Sequence, residues 1–333
     1  IDILVVSPHA LPTSLGSPAG AQAAPANAIA AANTAYQNSG ATPRVRLAGT
    51  AEVSYAETGN NTTALIDLQG SSDGKMDEVQ GLRNQVGADA VSMLLLNGGS
   101  SCGVAFLMTT PSANFAPSAY SVVPNNCAVG NLSFPHEMGH NFGLEHDRFV
   151  ATGSPAYPYG FGYVDTNHQF RDVMAYANAC GSCPRIPYFS NPNLTYLSRP
   201  LGVSYESSPS TSADNVRALN NAASIIANWR QSVTGYTPAT FTDDPIVVGT
   251  TKVKALHINE LRAAIDRYRA SVSLAAATWT AINAGTPIRA SHITEMRNAL
   301  KAAIPAAAFT DPTLTGTTKV KAVHIRELRG YLD

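Results

Sequence analysis

The chain has 333 residues, a formal net charge of −1 and only 14% charged residues, length enough for two domains with separate cores. No basic run occurs, which argues against a nucleic-acid partner, and no apolar run reaches the roughly 18 residues of a membrane-spanning helix. Four cysteines, Cys102, Cys127, Cys180 and Cys183, fit two disulfides in an extracellular protein. Because the first residue is Ile1 and not Met, a secreted mature chain lacking signal and pro-segment is expected.

In chain order, residues 3–7 form an apolar, β-rich strand. The Ala-rich stretch 22–38 predicts a helix that stops at Asn38-Ser39-Gly40. Residues 44–55 alternate at Val45 and Leu47 and again at Val53 and Tyr55, like a strand with a break. Met76, Val79, Leu82 and Val86 have helical spacing over 76–86. Residues 90–96 are apolar throughout, the pattern of a buried central strand, and 103–108 and 119–123 add two more strands. Residues 1–235 thus read as one α/β unit.

Next comes His136-Glu137-Met138-Gly139-His140-Asn141-Phe142-Gly143-Leu144-Glu145-His146-Asp147, or H-E-x-x-H-x-x-G-x-x-H-D. His136 and His140, four apart on a helix, leave one face and can bind one Zn²⁺. Glu137 can reach a zinc-bound water without ligating the metal. Gly143 tolerates positive φ, so the helix can stop and the chain can turn to bring His146 back as third ligand. Three protein ligands leave a fourth tetrahedral position open, the arrangement of a catalytic zinc. Six letters at fixed spacing arise by chance on the order of 10⁻⁸ per start position.

These residues resemble the metzincin clan of zinc endopeptidases, and Asp147 resembles its adamalysin (reprolysin)-like branch. The resemblance implies an α/β (α+β) catalytic domain with a mixed, mostly parallel twisted sheet, a zinc-site helix and a loop-rich lower half. It implies that Met174, in Asp172-Val173-Met174-Ala175-Tyr176, is the apolar floor under the zinc histidines. Met-Ala-Tyr is also similar to the astacin and serralysin pattern, whose Tyr hydroxyl ligates zinc at rest and stabilises the oxyanion in turnover. Tyr176 therefore reads either as that donor or as a packed aromatic. Of three possible disulfide pairings, Cys102–Cys127 with Cys180–Cys183 is preferred. The first would tie 103–108 to the loop before the zinc helix, and the second would clamp the loop after Met174.

Below the motif, residues 157–205 lose periodicity and are rich in Pro, Gly, Asn and Tyr, as a loop-built cleft wall would be. By resemblance, 184–192 form that wall, 103–108 is an edge strand that binds extended substrate, and 212–230 is the closing helix, capped by Ser212 or Asp214. The similar bacterial peptidyl-Asp metalloendopeptidases cleave before acidic residues, which calls for a cation in the S1′ pocket. Arg185 and Arg171 are candidates, and both read equally well as surface or salt-bridging arginines. No calcium-loop pattern is present.

Past residue 235 an internal repeat appears: 253–262 recurs as 288–297 and 320–329, three H-I-x-E-(L/M)-R copies. Each copy predicts one amphipathic helix of a small all-α module over 236–333, similar to C-terminal modules of secreted bacterial proteins. His257, His292 and His324 with their Glu partners read as helix-start or His–Glu contacts rather than a second metal site. His9 and His168 read as surface or loop residues.

The expectation is a secreted, monomeric zinc endopeptidase with Zn²⁺ as cofactor and protein or peptide substrates, hydrolysing by Glu137-assisted attack of zinc-bound water. Its C-terminal module is free to bind substrate, a surface or another protein. Two alternatives stand beside it: a catalytically silent metzincin-fold binding or adhesion protein, and a zinc amidase acting on a cell-wall substrate.

Overall fold

Short apolar strands separated by capped helices, the pattern of residues 1–130, fold as a layered α/β unit. The elements in order are β1 (Asp2–Pro8), α1 (Ala10–Ser14), α2 (Pro18–Asn38), β2 (Arg46–Val53), α3 (Asn61–Gln69), α4 (Glu78–Gln85), β3 (Ala90–Leu95), β4 (Val104–Ala105) and β5 (Tyr120–Pro124). Then follow α5 (Asn125–Ala128), α6 (Ser133–Asn141), β6 (Glu145–Asp147), β7 (Phe161–Gly162), β8 (Asn191–Tyr196), β9 (Arg199–Leu201) and α7 (Asn215–Ile226). Last come α8 (Ala255–Ser271), α9 (Ala290–Ala303) and α10 (Ala322–Arg329). The computed structural model describes residues 1–15, 18–232, 241–243, 246, 251–271, 274–283, 285–303, 307, 309–329 and 331–332. The expected domain boundary at residue 235 lies outside them. The chain divides into two compact units, Ile1–Arg83 with Gly87–Gln231, and Asn84–Val86 with Ser232–Asp333.

In the first unit the strands run in the order β2-β1-β3-β5-β4, parallel except for β4, so the sheet is mixed and mostly parallel. β3 is buried along its whole length, as its unbroken apolar run requires. The break anticipated in β2 is a register shift: Ile3 pairs with Leu47 and Leu4 with Gly49, leaving Ala48 over. Phe134, Met138 and Phe142 recur every fourth residue along and just past α6 and enter the main core beside Tyr36, Leu94 and Leu219. That leaves His136 and His140 on the other side of the helix. Burying such side chains contributes about 1.5–3 kcal/mol each, and it fixes the helix against the sheet.

Three features differ from expectation. α3 was not anticipated, although Asn60 caps it by accepting from Thr63 N at 3.0 Å, and Asn61, Ala64, Leu65 and Leu68 are buried. The strand expected over 103–108 is only Val104–Ala105. Past it, Asn141 Nδ2 donates to Phe106 O (2.8 Å) and Met108 N donates to His140 O (3.0 Å), so the chain leaves the sheet for α6. The lower half also contains a β8–β9 hairpin where only loop was expected. Its two-residue turn, Leu197-Ser198, has φ of 50° and 60°, a geometry usually signalled by Asn-Gly. α7 is capped by Asp214, whose side chain accepts from Arg217 N.

In the second unit α8, α9 and α10 carry equivalent contacts. Nδ1 of His257, His292 and His324 accepts the backbone N–H of Lys254, Arg289 and Lys321, three residues earlier, at 3.1–3.3 Å. Glu260, Glu295 and Glu327 accept from the backbone N–H of Thr242, Thr280 and Thr310. Arg262 reaches Thr280 O and Glu295, Arg297 reaches Thr310 O and Glu327, and Arg329 returns to Thr242 O, with Glu260 at 4.0 Å. The arginines therefore link the three segments head to tail in a closed ring around a core of Ile258, Leu261, Ile293, Met296, Ile325 and Leu328. The H-I-x-E residues hold helix starts and turns, which accounts for their recurrence without a metal.

Candidate active site

Gly143 has φ +90°, and its turn sends the chain from the end of α6 into β6, carrying His146 back over the helix. Nε2 of His146 then lies 3.0 Å from Nε2 of His140 and 3.2 Å from Nε2 of His136. The other ring nitrogens are spoken for. His136 Nδ1 donates to Val173 O at 2.8 Å, His140 Nδ1 donates to Leu144 O at 2.9 Å, and His146 Nδ1 sits 3.1 Å from Glu145 Oε1. These partners assign the proton to Nδ1 in each ring and leave three Nε2 lone pairs aimed at one point. Burial, with the neighbouring imidazoles, pushes His136 and His140 well down, so both stay neutral, the form that ligates. Burial works to raise Glu145, but its hydrogen bonds with His146 hold it below its ordinary value.

Three mutually facing lone pairs repel unless a cation lies between them. Two nitrogens bound at about 2.0–2.1 Å on a tetrahedral ion lie roughly 3.3 Å apart, close to the spacing found. The histidines therefore fit a zinc-type cation. Among the described residues this is the one group of three or more His, Cys, Asp or Glu side chains placed to hold a metal ion.

Glu137 is 5% exposed, and its carboxylate rests against Gly103 at the start of β4. Burial pushes its pKa up to about 8, and the positive charge of Arg185 opposes that shift. Met174 is fully buried beneath α6. A Cβ on Gly139 would come within 2.4 Å of Met174 Sδ, so the bare α-carbon of Gly139 is what lets the Met174 turn approach. Sequence reasoning treated Gly139 as a free position between two ligands. The clue was there, since a glycine inside a helix costs about 1 kcal/mol and needs a reason.

Tyr176 is 39% exposed, with its ring 4.4 Å from His146 and 5.8 Å from His136, centroid to centroid. It faces the histidines rather than the core, and burial followed by the charge of Glu137 raises its pKa. Asp147 sets its position: Oδ2 accepts Tyr176 N at 2.9 Å, and Oδ1 accepts Phe149 N. Asp172, which sequence reasoning assigned no role, is fully buried. It accepts from Ala175 N, Ser190 N and Asn215 Nδ2, joining the Met174 turn, the wall and α7.

The two arginines converge beside this centre. Arg185 donates to Asn131 O (2.9 Å) and Ala175 O (3.1 Å), and its Nε is buried without a partner. Arg171 donates to Cys183 O and also to Ala175 O. Burial, then the charge of Arg171, pulls Arg185 down to about 10. Neither arginine has a carboxylate within ion-pair distance among the described residues, so neither is the salt-bridging residue that was the alternative. Cys102 is bonded to Cys127 and Cys180 to Cys183. His9 is exposed beside Glu52, and His168 lies in a loop.

Residues 1–207 match the family described as Metallo-peptidase family M12B, Reprolysin-like. The chain is 37% identical over 233 residues to a peptidyl-Asp metalloendopeptidase of Stenotrophomonas maltophilia (strain K279a), covering 69% of this chain and 52% of that protein. A peptidyl-Asp metalloendopeptidase of Pseudomonas aeruginosa is 32% identical over 255 residues, covering 69% of this chain and 40% of that protein. The chain thus spans about half the length of these relatives or less. A solved structure described as a chaperone-substrate complex superposes with a TM-score of 0.54 at 21% identity, over 69% of this chain and 39% of that one, and so shares the fold.

Proposed function

Since the chain belongs to the reprolysin-like M12B metallopeptidases, we propose that it is a secreted zinc endopeptidase acting on proteins or peptides. Residues 1–235 would be its catalytic domain and 236–333 an accessory module. The observation that carries this reading is the convergence of three Nε2 atoms, with a buried carboxylate on the residue after the first. The two disulfides support an oxidising compartment.

His136, His140 and His146 would hold the metal. Zn²⁺, when bound, supplies Lewis acidity that polarises the scissile carbonyl and acidifies the attacking water. Glu137 takes a proton from that water and passes it to the leaving amine. The burial that raises its pKa makes it a better base for that uptake. Tyr176, outside the core and over the histidines, donates its hydroxyl to the carbonyl oxygen as that oxygen gains charge. Extended substrate adds to the free edge of β4 through backbone hydrogen bonds.

Among the described residues the guanidiniums of Arg171 and Arg185 donate to carbonyl oxygens rather than to carboxylates, which concentrates positive charge beside the histidines. Together with relatives named for peptidyl-Asp cleavage, this supports recognition of a substrate Asp by Arg185, with Arg171 beside it. Glu137→Ala tests the mechanism: zinc content is expected to be kept while turnover of a protein substrate falls at least about a hundredfold. Turnover at the parental rate refutes it. Cleavage profiling on a denatured proteome tests the acidic preference, and cuts without enrichment for Asp refute that part.

A further inference from the structure

Where α8, α9 and α10 begin, the second unit holds an open depression of about 1100 Å³. Equivalent stretches from each segment line it: 251–256, 286–290 and 318–322, with Gly285 and Gly316. Val253, Ile288 and Val320 supply apolar surface. Lys252, Lys254, Arg289, Lys319 and Lys321 supply five cations, and among the described residues no acidic one lines the depression.

The five cations are not equivalent. Lys254 is neutralised by Asp243 at 2.7 Å, and Lys321 by Asp311 at 2.6 Å. The position matching those aspartates in the middle segment is Ala281, and Arg289 has no carboxylate partner among the described residues. Lys252 and Lys319 also lack a carboxylate partner among the described residues. Three exposed cations with no carboxylate partner among the described residues thus share one concave surface. Exposed like charges held around a depression repel one another, and an anionic ligand relieves that repulsion.

We propose that this depression binds an acidic peptide segment, with its carboxylates on Lys252, Arg289 and Lys319 and its aliphatic side chains on Val253, Ile288 and Val320. The chemistry of the lining selects this occupant. Single-stranded nucleic acids stack their bases on aromatic rings, and sugars pack their faces on them, but among the described residues no aromatic one lines the depression. An apolar floor inside a cationic rim suits a chain that alternates carboxylate and aliphatic side chains.

The test measures binding to the full chain carrying Glu137→Ala, so that no peptide is cut and the result does not depend on the proposed activity. The probes are a short labelled peptide alternating Asp with Val, its Asn/Val and Lys/Val counterparts, and an oligogalacturonate of similar charge. The Asp/Val peptide is expected to bind, more weakly as salt rises. Lys252→Ala/Arg289→Ala/Lys319→Ala should weaken it about tenfold. Arg267→Ala/Arg326→Ala, exposed cations outside the depression, should leave it unchanged. Equal binding of the Asn/Val peptide, or parental affinity in the triple variant, overturns the proposal. Tighter binding of the oligogalacturonate that is lost in the triple variant also overturns it, because the occupant is then a polysaccharide.

Discussion

Replacing Gly139 with Ala sets two effects of opposite sign against each other, and the structure decides between them. In a helix interior the exchange by itself would stabilise by up to about 1 kcal/mol. Here the new methyl would lie 2.4 Å from Met174 Sδ and 3.1 Å from its Cε. Met174 is fully buried, so any movement of its thioether away from the methyl must be taken up by the packing around it. Overpacking of this kind costs about 1–3 kcal/mol, so a net loss of roughly 1–2 kcal/mol is expected. For a unit of this size that is about 2–4 °C of melting temperature per kcal/mol. Because the displaced Met174 turn also carries Val173 O, which orients His136, zinc affinity should fall as well. Melting curves with chelator present isolate the packing effect, and competition with a chelator reads the metal effect. Met174→Ala alone should cost about 2–5 kcal/mol. Adding Gly139→Ala to that background should then be neutral or stabilising, since the clash is gone. If Gly139→Ala costs as much without Met174 as with it, the packing argument is wrong.

Arg185→Ala should lower kcat/KM for substrates with Asp at the cleaved bond by about tenfold or more while sparing those with a neutral residue there; equal losses for both refute its recognition role. Asp172→Ala leaves the buried donors Ser190 N and Asn215 Nδ2 without their acceptor, and Ala175 N with only Asp172 O at 3.4 Å; at about 1–3 kcal/mol for each orphaned donor at least about 2 kcal/mol of stability should go, and a loss under about 1 in chelator-treated melts contradicts the joint described here. Burial works to raise Asp165, but Arg199 and the N–H groups of Gln169 and Asn167 outweigh it and hold its carboxyl below the ordinary value. A depressed carboxyl stabilises the fold above its unfolded pKa and loses that contribution as pH falls through the folded one. The stability gap between the parent and Asp165→Asn should therefore shrink in acid, and a gap that widens there refutes the pairing.

The chemistry of the candidate site was legible because it is local. Spacing along one helix places His136, Glu137 and His140, and one glycine returns His146, so twelve consecutive residues carry the ligand set. β1, β3 and β5 were legible because buried parallel strands are continuous apolar runs and β2 from its alternation, whereas β4 is cut short by contacts with α6. The β8–β9 hairpin was not legible, because Leu197 and Ser198 take left-handed geometry without the residues that usually announce it. α3 was legible from Asn60 and its buried spacing and was passed over.

What only the tertiary structure decided concerns residues whose meaning depends on distant partners. Gly139 is an unremarkable letter until Met174, far along the chain, is found against it. Arg171 and Arg185 were ambiguous as types, and only the fold shows both guanidiniums donating to Ala175 O beside the histidines. The three H-I-x-E segments predicted three helices, but the return of Arg329 to the Thr242 turn, which closes the ring, follows from no local pattern. Periodicity and spacing report what a residue does to its neighbours within a turn or two of chain. Which side chain is left unpaired, and which glycine must stay bare, depends on segments brought together only by folding.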